Sequence, residues 1–167
     1  MDATALRALQ APLKQKYRDS SDSARVVSRA QVSLNPMRIE AILPAHAPRI
    51  AGLHLAAGGT GAHACSGDML LEALAACAGV TLMAVATSMG ANLTRGTIIA
   101  EGVWDARGTL GVDKTVPVGI QDITLTFELE GDLDAPTRQR LVQLTERYCV
   151  VLATLRDKPK LSVAVVA

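Results

Sequence analysis

The run from Ala73 to Met89 carries no charged residue and is built largely from Ala, Leu, Val and Met. Such a stretch has to be hidden from water on most of its surface, so it sets the centre of whatever the chain folds into. Asp68 and Glu72 stand just upstream, and polar Thr87 and Ser88 lie near its end. The run is rich in Ala and short for a bilayer crossing, which takes about 20 apolar residues. Length and flanks therefore predict a buried central helix and no membrane partner. Ser66 is a candidate N-cap, Asp68 and Glu72 suit the positive end, and Gly90 is the stop.

The remainder can supply a core around that helix. Of 167 residues, 49% are hydrophobic and 20% charged, which argues against global disorder. The net charge of +1 leaves no basic stripe, and Tyr17, Trp104, Phe127 and Tyr148 are the only aromatics. A nucleic-acid partner is not expected, because phosphate neutralisation and base stacking both lack material. Three cysteines, Cys65, Cys77 and Cys149, are too few and too odd in number for a disulfide scaffold. The first 15 residues lack an apolar signal core, so the expected compartment is the reducing cytoplasm.

Local patterns place the other elements. Leu6, Leu9 and Leu13 predict a helix from Ala3 to Tyr17, which Pro12 should break or shorten. Strands are expected over Ala24 to Leu34, Met37 to Leu43 and Ile50 to Leu55, with a turn at Asn35-Pro36. Together they read as an antiparallel meander. After the central helix, strands are expected from Thr97 to Trp104 and from Ile120 to Leu129. In the second, Ile123, Leu125, Phe127 and Leu129 share one face. Asp134 caps a helix over Ala135 to Tyr148, a short helix runs on to Arg156, and Lys160 to Val166 closes the chain as a strand. Helices and strands do not alternate regularly, so the class is α+β. Residues 1–23 read as an N-terminal helical extension and 24–167 as a single domain.

Chemistry rests on the thiols. Cys77 sits in the middle of the apolar helix among small residues, where a lone cysteine is usually a core hydrophobe. Reactivity there would need a nearby cation, since the helix dipole fades within the first turn. Cys149 follows Tyr148 at the end of the later helix; Arg147 is either its activator or a solvated surface charge. Cys65, with His63 and His54, fits no standard zinc spacing, and no metal or cofactor is expected. The Gly58-Gly59-Thr60-Gly61 loop lacks the Lys-Ser/Thr of a phosphate cradle, and no G-x-S-x-G marks a hydrolase.

Cys65-Ser66-Gly67-Asp68-Met69-Leu70-Leu71-Glu72-Ala73-Leu74-Ala75-Ala76-Cys77 resembles the helix motif of the OsmC/Ohr family, the osmotically inducible and organic-hydroperoxide-resistance proteins. Glu146-Arg147-Tyr148-Cys149-Val150-Val151 with Leu155 resembles that family's second cysteine motif. The resemblance spans roughly Gly52 to Val163. It implies an OsmC-like fold, with antiparallel sheets wrapped around long central helices in an intertwined homodimer. It also implies a peroxidase that reduces organic hydroperoxides, with Cys77 peroxidatic, Cys149 resolving and an external dithiol as reductant. A non-catalytic stress-associated or ligand-binding role on the same fold is the alternative.

Three departures from the family pattern stand out. Gly67 occupies the position of a Glu ten residues before the first cysteine, with Asp68 beside it. Val150 replaces a Pro after the second cysteine. The activating Arg has no secure counterpart: Arg49 and His54 are the candidates, with Arg29 and Arg38 behind them.

Overall fold

A computed structural model describes residues 3–35, 40–42 and 51–165. Its centre is helix α2 (Ser66–Met89). Leu71, Leu74, Ala78, Leu82 and Ala86 are buried along one side of it. Those positions recur at three and four residues, the period that lines one face of a helix. Cys65, rather than Ser66, is the N-cap: its Sγ accepts the Gly67 N–H at 3.4 Å. Gly90 ends the helix at φ 65°, a left-handed turn that glycine adopts without strain. By length and composition α2 is apolar enough to cross a membrane. Here it is the core helix of a mixed domain.

The sheet that covers it is antiparallel and four-stranded, in the order β2 (Glu40–Ile42), β1 (Arg25–Asn35), β5 (Asn92–Asp105), β6 (Asp122–Asp132). β5 is the spine. It pairs with β1 from Arg25↔Asp105 to Ser33↔Thr97, and with β6 from Asn92↔Asp132 to Val103↔Asp122. Ile98 and Ala100 from β5 meet the buried side of α2, and half-buried Ile123, Leu125, Phe127 and Leu129 from β6 extend that contact. Gly102 stands where β5 approaches α2 closely. A Cβ there would lie 2.6 Å from Ile120 Cγ2 and 3.3 Å from Leu71.

Two further helices close the core. Asp134 accepts the Thr137 N–H and caps α4 (Ala135–Tyr148). A turn at Cys149 leads into α5 (Val150–Arg156). A smaller cluster gathers Tyr17, Ala24, Ala57, Trp104, Ala106 and Leu110 under the N-terminal helix α1 (Ala3–Asp19), with the short α3 (Ala106–Thr109) beside it.

Three expectations are corrected. Pro12 does not break α1, which runs through it. A proline removes one helical hydrogen bond, and here Leu13 and Tyr17 beyond it pack into the smaller cluster and hold the next turn. The third strand is only β3 (Ala51–Gly52), and it pairs in parallel with β4 (Ala64–Cys65) instead of completing an antiparallel meander. His54 starts a 3-10 turn over Leu55–Ala57 that diverts the chain. Residues 160–165 form no strand, and Leu161, Val163 and Val165 are almost fully exposed. Alternation fits a segment for a sheet but does not supply the neighbouring edge that makes it a strand. Pro36, the flanks of β2 at 37–39 and 43, Ile50 and Val166 lie outside the described residues, as do Arg38, His46 and Arg49.

Candidate functional site

The chain turn between α4 and α5 presents Cys149 to α2. Its N–H bonds to the Thr145 carbonyl at 2.9 Å, and its carbonyl accepts the Ala153 N–H at 2.9 Å, so one residue ends the first helix and starts the second. Thr145 is itself fully buried, its hydroxyl donating to the Leu141 carbonyl at 2.8 Å. Sequence reasoning did not single it out, because a threonine at the end of an amphipathic helix carries no distinctive signal. The packing leaves Cys149 with 0% exposure, within the same core that Cys77 borders.

The two thiols are neighbours and interact. Burial pushes the Cys149 thiol up to about 11, and a hydrogen bond and charge coupling with Cys77 push in the same direction. The N–H groups of Leu152 and Val151, at the start of α5, pull the other way and are outweighed. Cys149 thus holds its proton at neutral pH. Arg147 contributes nothing to that balance: it is exposed and its guanidinium lies over the Tyr148 ring at 5.4 Å. Of its two readings, the solvated surface charge is the one observed.

Cys77 is half-buried, on the border between two faces of α2. Towards the sheet the helix is closed. Outward, Leu70, Ala73, Val80 and Ala84 are exposed at spacings that form one stripe, and Cys77 falls on it.

The remaining candidates lie elsewhere. Asp68 is in the first turn of α2, about 14 Å along the axis from Cys77 at 1.5 Å per residue. His54 packs edge-on against Trp104, with ring centroids 5.1 Å apart, and its Nδ1 accepts the Ala56 N–H at 3.0 Å. It lines a cavity together with Cys65, about 18 Å along α2 from Cys77. Arg29 is on β1, where it pairs with Glu101 at 3.5 Å. Arg49 is not among the described residues. Within them, no cluster of three His, Cys, Asp or Glu side chains is arranged to hold a metal.

Residues 59–164 match the family of OsmC-like proteins. The chain belongs to the OsmC family. A solved OsmC-like hydroperoxide resistance protein from Jannaschia sp. CCS1 shares the OsmC fold at a TM-score of 0.58 and 16% identity, over 83% of this chain and 91% of that one. No curated protein matches the sequence. The OsmC match begins after α1 and after His54, so both stand outside the segment the family defines.

Proposed function

We propose that this OsmC protein is a thiol peroxidase that reduces organic hydroperoxides through a Cys77–Cys149 disulfide cycle. The observation that carries this reading is the pairing of the two thiols, one half-exposed on α2 and the other buried and protonated behind it. The named activity of the Jannaschia structure, hydroperoxide resistance, points the same way.

The cycle balances with these two side chains and one reductant. The Cys77 thiolate attacks the outer peroxide oxygen, the O–O bond breaks, and the alkoxide takes a proton and leaves as an alcohol. Cys77 is then a sulfenic acid. Cys149 attacks that sulfur, its proton goes to the departing hydroxyl, water leaves, and a disulfide forms. An external dithiol reopens it by exchange. No organic cofactor or metal enters any step.

The working form in this reading is a homodimer in the cytoplasm. The outward stripe of α2 would expose apolar surface in a lone chain, which soluble monomers avoid. Packing that stripe against its two-fold copy brings a second chain over Cys77. Residues 160–165, with Leu161, Val163 and Val165 bare, are the segment that would add to a neighbouring sheet.

The test is intact mass after one equivalent of cumene hydroperoxide. The proposal expects the loss of two hydrogens per chain and a single cross-linked peptide joining Cys77 to Cys149. A chain that stays unmodified, or that gains oxygen slowly and at random, is a ligand-binding member of the fold instead.

A further inference from the structure

A second site lies at the N-terminal end of α2, about 18 Å along the helix from Cys77. Between β3, the start of α2 and the end of β5 is a cavity of about 430 Å³, walled by Ala57, Cys65, Leu70, Trp104 and Ile120. That volume falls in the range of small-molecule sites, about 300–1,000 Å³. No charged side chain lines it among the described residues. One ring donor does. His54 Nδ1 accepts the Ala56 N–H, which leaves Nε2 as the ring nitrogen available to donate.

The wall that holds His54 is stiff. Tyr17 Oη donates to the Ala56 carbonyl at 2.9 Å, and Gln10 Nε2 donates to the Ala57 carbonyl at 3.1 Å, so α1 clamps the turn from behind. Gly59 closes the same turn so tightly that a Cβ would meet the Leu53 carbonyl oxygen at 1.7 Å. Mostly apolar walls with a few polar groups, the clamped His54 ring and the hydroxyls of Ser66 and Thr109, are what a small uncharged ligand needs, since little has to be ordered on binding.

We propose that this cavity binds an uncharged apolar molecule with one hydrogen-bond acceptor, a medium-chain carbonyl compound, whose oxygen is received by His54 Nε2–H. The assignment does not depend on the dithiol chemistry, which takes place about 18 Å away along the helix.

Trp104 is the single tryptophan of the chain and sits in the wall, and Cys65 supplies a second reporter. The experiment titrates the full-length wild-type chain with 2-decanone, following Trp104 fluorescence and, by peptide mapping, the alkylation of Cys65 by iodoacetamide. The expected result is a saturable fluorescence change at one 2-decanone per chain, with Cys65 alkylation slowed at least fivefold at saturation. Decanoate, which brings a charge, should bind about tenfold more weakly. His54→Phe keeps the aromatic packing and removes the donor, and should weaken 2-decanone about tenfold, the effect of one hydrogen bond. The wild-type protection of Cys65 keeps the test valid if that variant does not fold. Absence of saturation overturns the proposal. So does equal binding of decanoate. If Cys65, half-buried in the lone chain, is already fully shielded from iodoacetamide without any probe, the face belongs to a second copy of the chain and the proposal fails.

Discussion

Cys149, buried at the junction of α4 and α5, is coupled to Cys77 on α2, and that coupling adds to burial in holding its pKa up at about 11. The partners are distant in sequence and share no motif spacing. They meet because α4 and α5 both lie against the same helix. The pair is divided by exposure: one sulfur is half-exposed, and the other is buried and protonated at neutral pH.

That division gives a pH signature. At pH 8 only about one Cys149 in a thousand would be ionised, from the three-unit gap to its pKa. Alkylation of Cys149 in the folded protein should therefore rise only towards pH 11. In Cys77→Ser the midpoint should drop, because the coupling that raises it is gone. Stability follows the same shift. An unfolded thiol loses its proton near its ordinary value of 9.0, whereas the folded one keeps it to about 11. The unfolded state thus binds fewer protons between these values, and stability falls as pH rises through that window. Chemical denaturation at pH 8, 9.5 and 11 checks the sign. A flat profile, or one that is unchanged in Cys149→Ser, would show that the burial of this thiol does not matter.

Cysteine variants separate the roles. Cys77→Ser should abolish peroxide consumption. Cys149→Ser should allow one sulfenic acid per chain and then stall, detectable with a dimedone label. Cys65→Ser should keep turnover within about twofold of wild type, since its sulfur caps α2 away from the dithiol. Loss of activity in the Cys65 variant together with survival of Cys77→Ser would reverse the assignment.

The outward stripe of α2 is expected to be the dimer contact. Val80→Glu or Ala84→Glu would place an unpaired carboxylate in that contact. The cost should reach about 3 kcal/mol, more than a hundredfold in dimer dissociation. Light scattering at micromolar concentration reads it. A wild-type monomer with native circular dichroism would remove the basis for a two-chain site.

Much of this architecture is local and was legible residue by residue. Gly90 as the stop of α2, Asp134 as the cap of α4, and the alternation of Ile123, Leu125, Phe127 and Leu129 each express a rule that needs only neighbours in sequence. The features that were not legible depend on contacts between distant segments. Pro12 is tolerated because Tyr17 is anchored to the Ala56 carbonyl. β3 pairs with β4 because the Leu55–Ala57 turn folds the chain back on itself. His54 was expected near Cys77 as part of the strand region before the helix, but the same turn carries it to Trp104 and Cys65 instead. The thiol pair itself was reached through the resemblance of two motifs; spacing alone pointed to no partner.

Gly102→Ala tests the closest approach of sheet and helix. The added methyl would meet Ile120 at 2.6 Å, and Leu71 stands behind it. Overpacking of this kind costs about 1–3 kcal/mol. A lowered denaturation midpoint with an unchanged slope is expected. Gly102→Ala should cost less in an Ile120→Ala background, where the contacted Cγ2 is gone, than in the wild-type chain.

The cation that activates Cys77 can be separated from the cavity residue by the same kind of measurement. His54 is tied through Nδ1 to Ala56 and packed on Trp104, at the Cys65 end of α2. Arg29 is engaged by Glu101. Of the sequence candidates, Arg49 and Arg38 lie outside the described residues; we keep Arg49 as the proposed activator because it stands nearer the helix in sequence, and a guanidinium stays charged at every working pH where an imidazole does not. The rate of Cys77 alkylation against pH, in a background lacking Cys65 and Cys149, distinguishes them. Arg49→Ala should move the midpoint upward by about one unit, since an opposite charge close to a thiolate typically stabilises it by one to three. His54→Ala should leave that midpoint where it is while disturbing Trp104 fluorescence. An upward shift in His54→Ala alone would transfer the role to the imidazole and require the partner chain to bring it to Cys77.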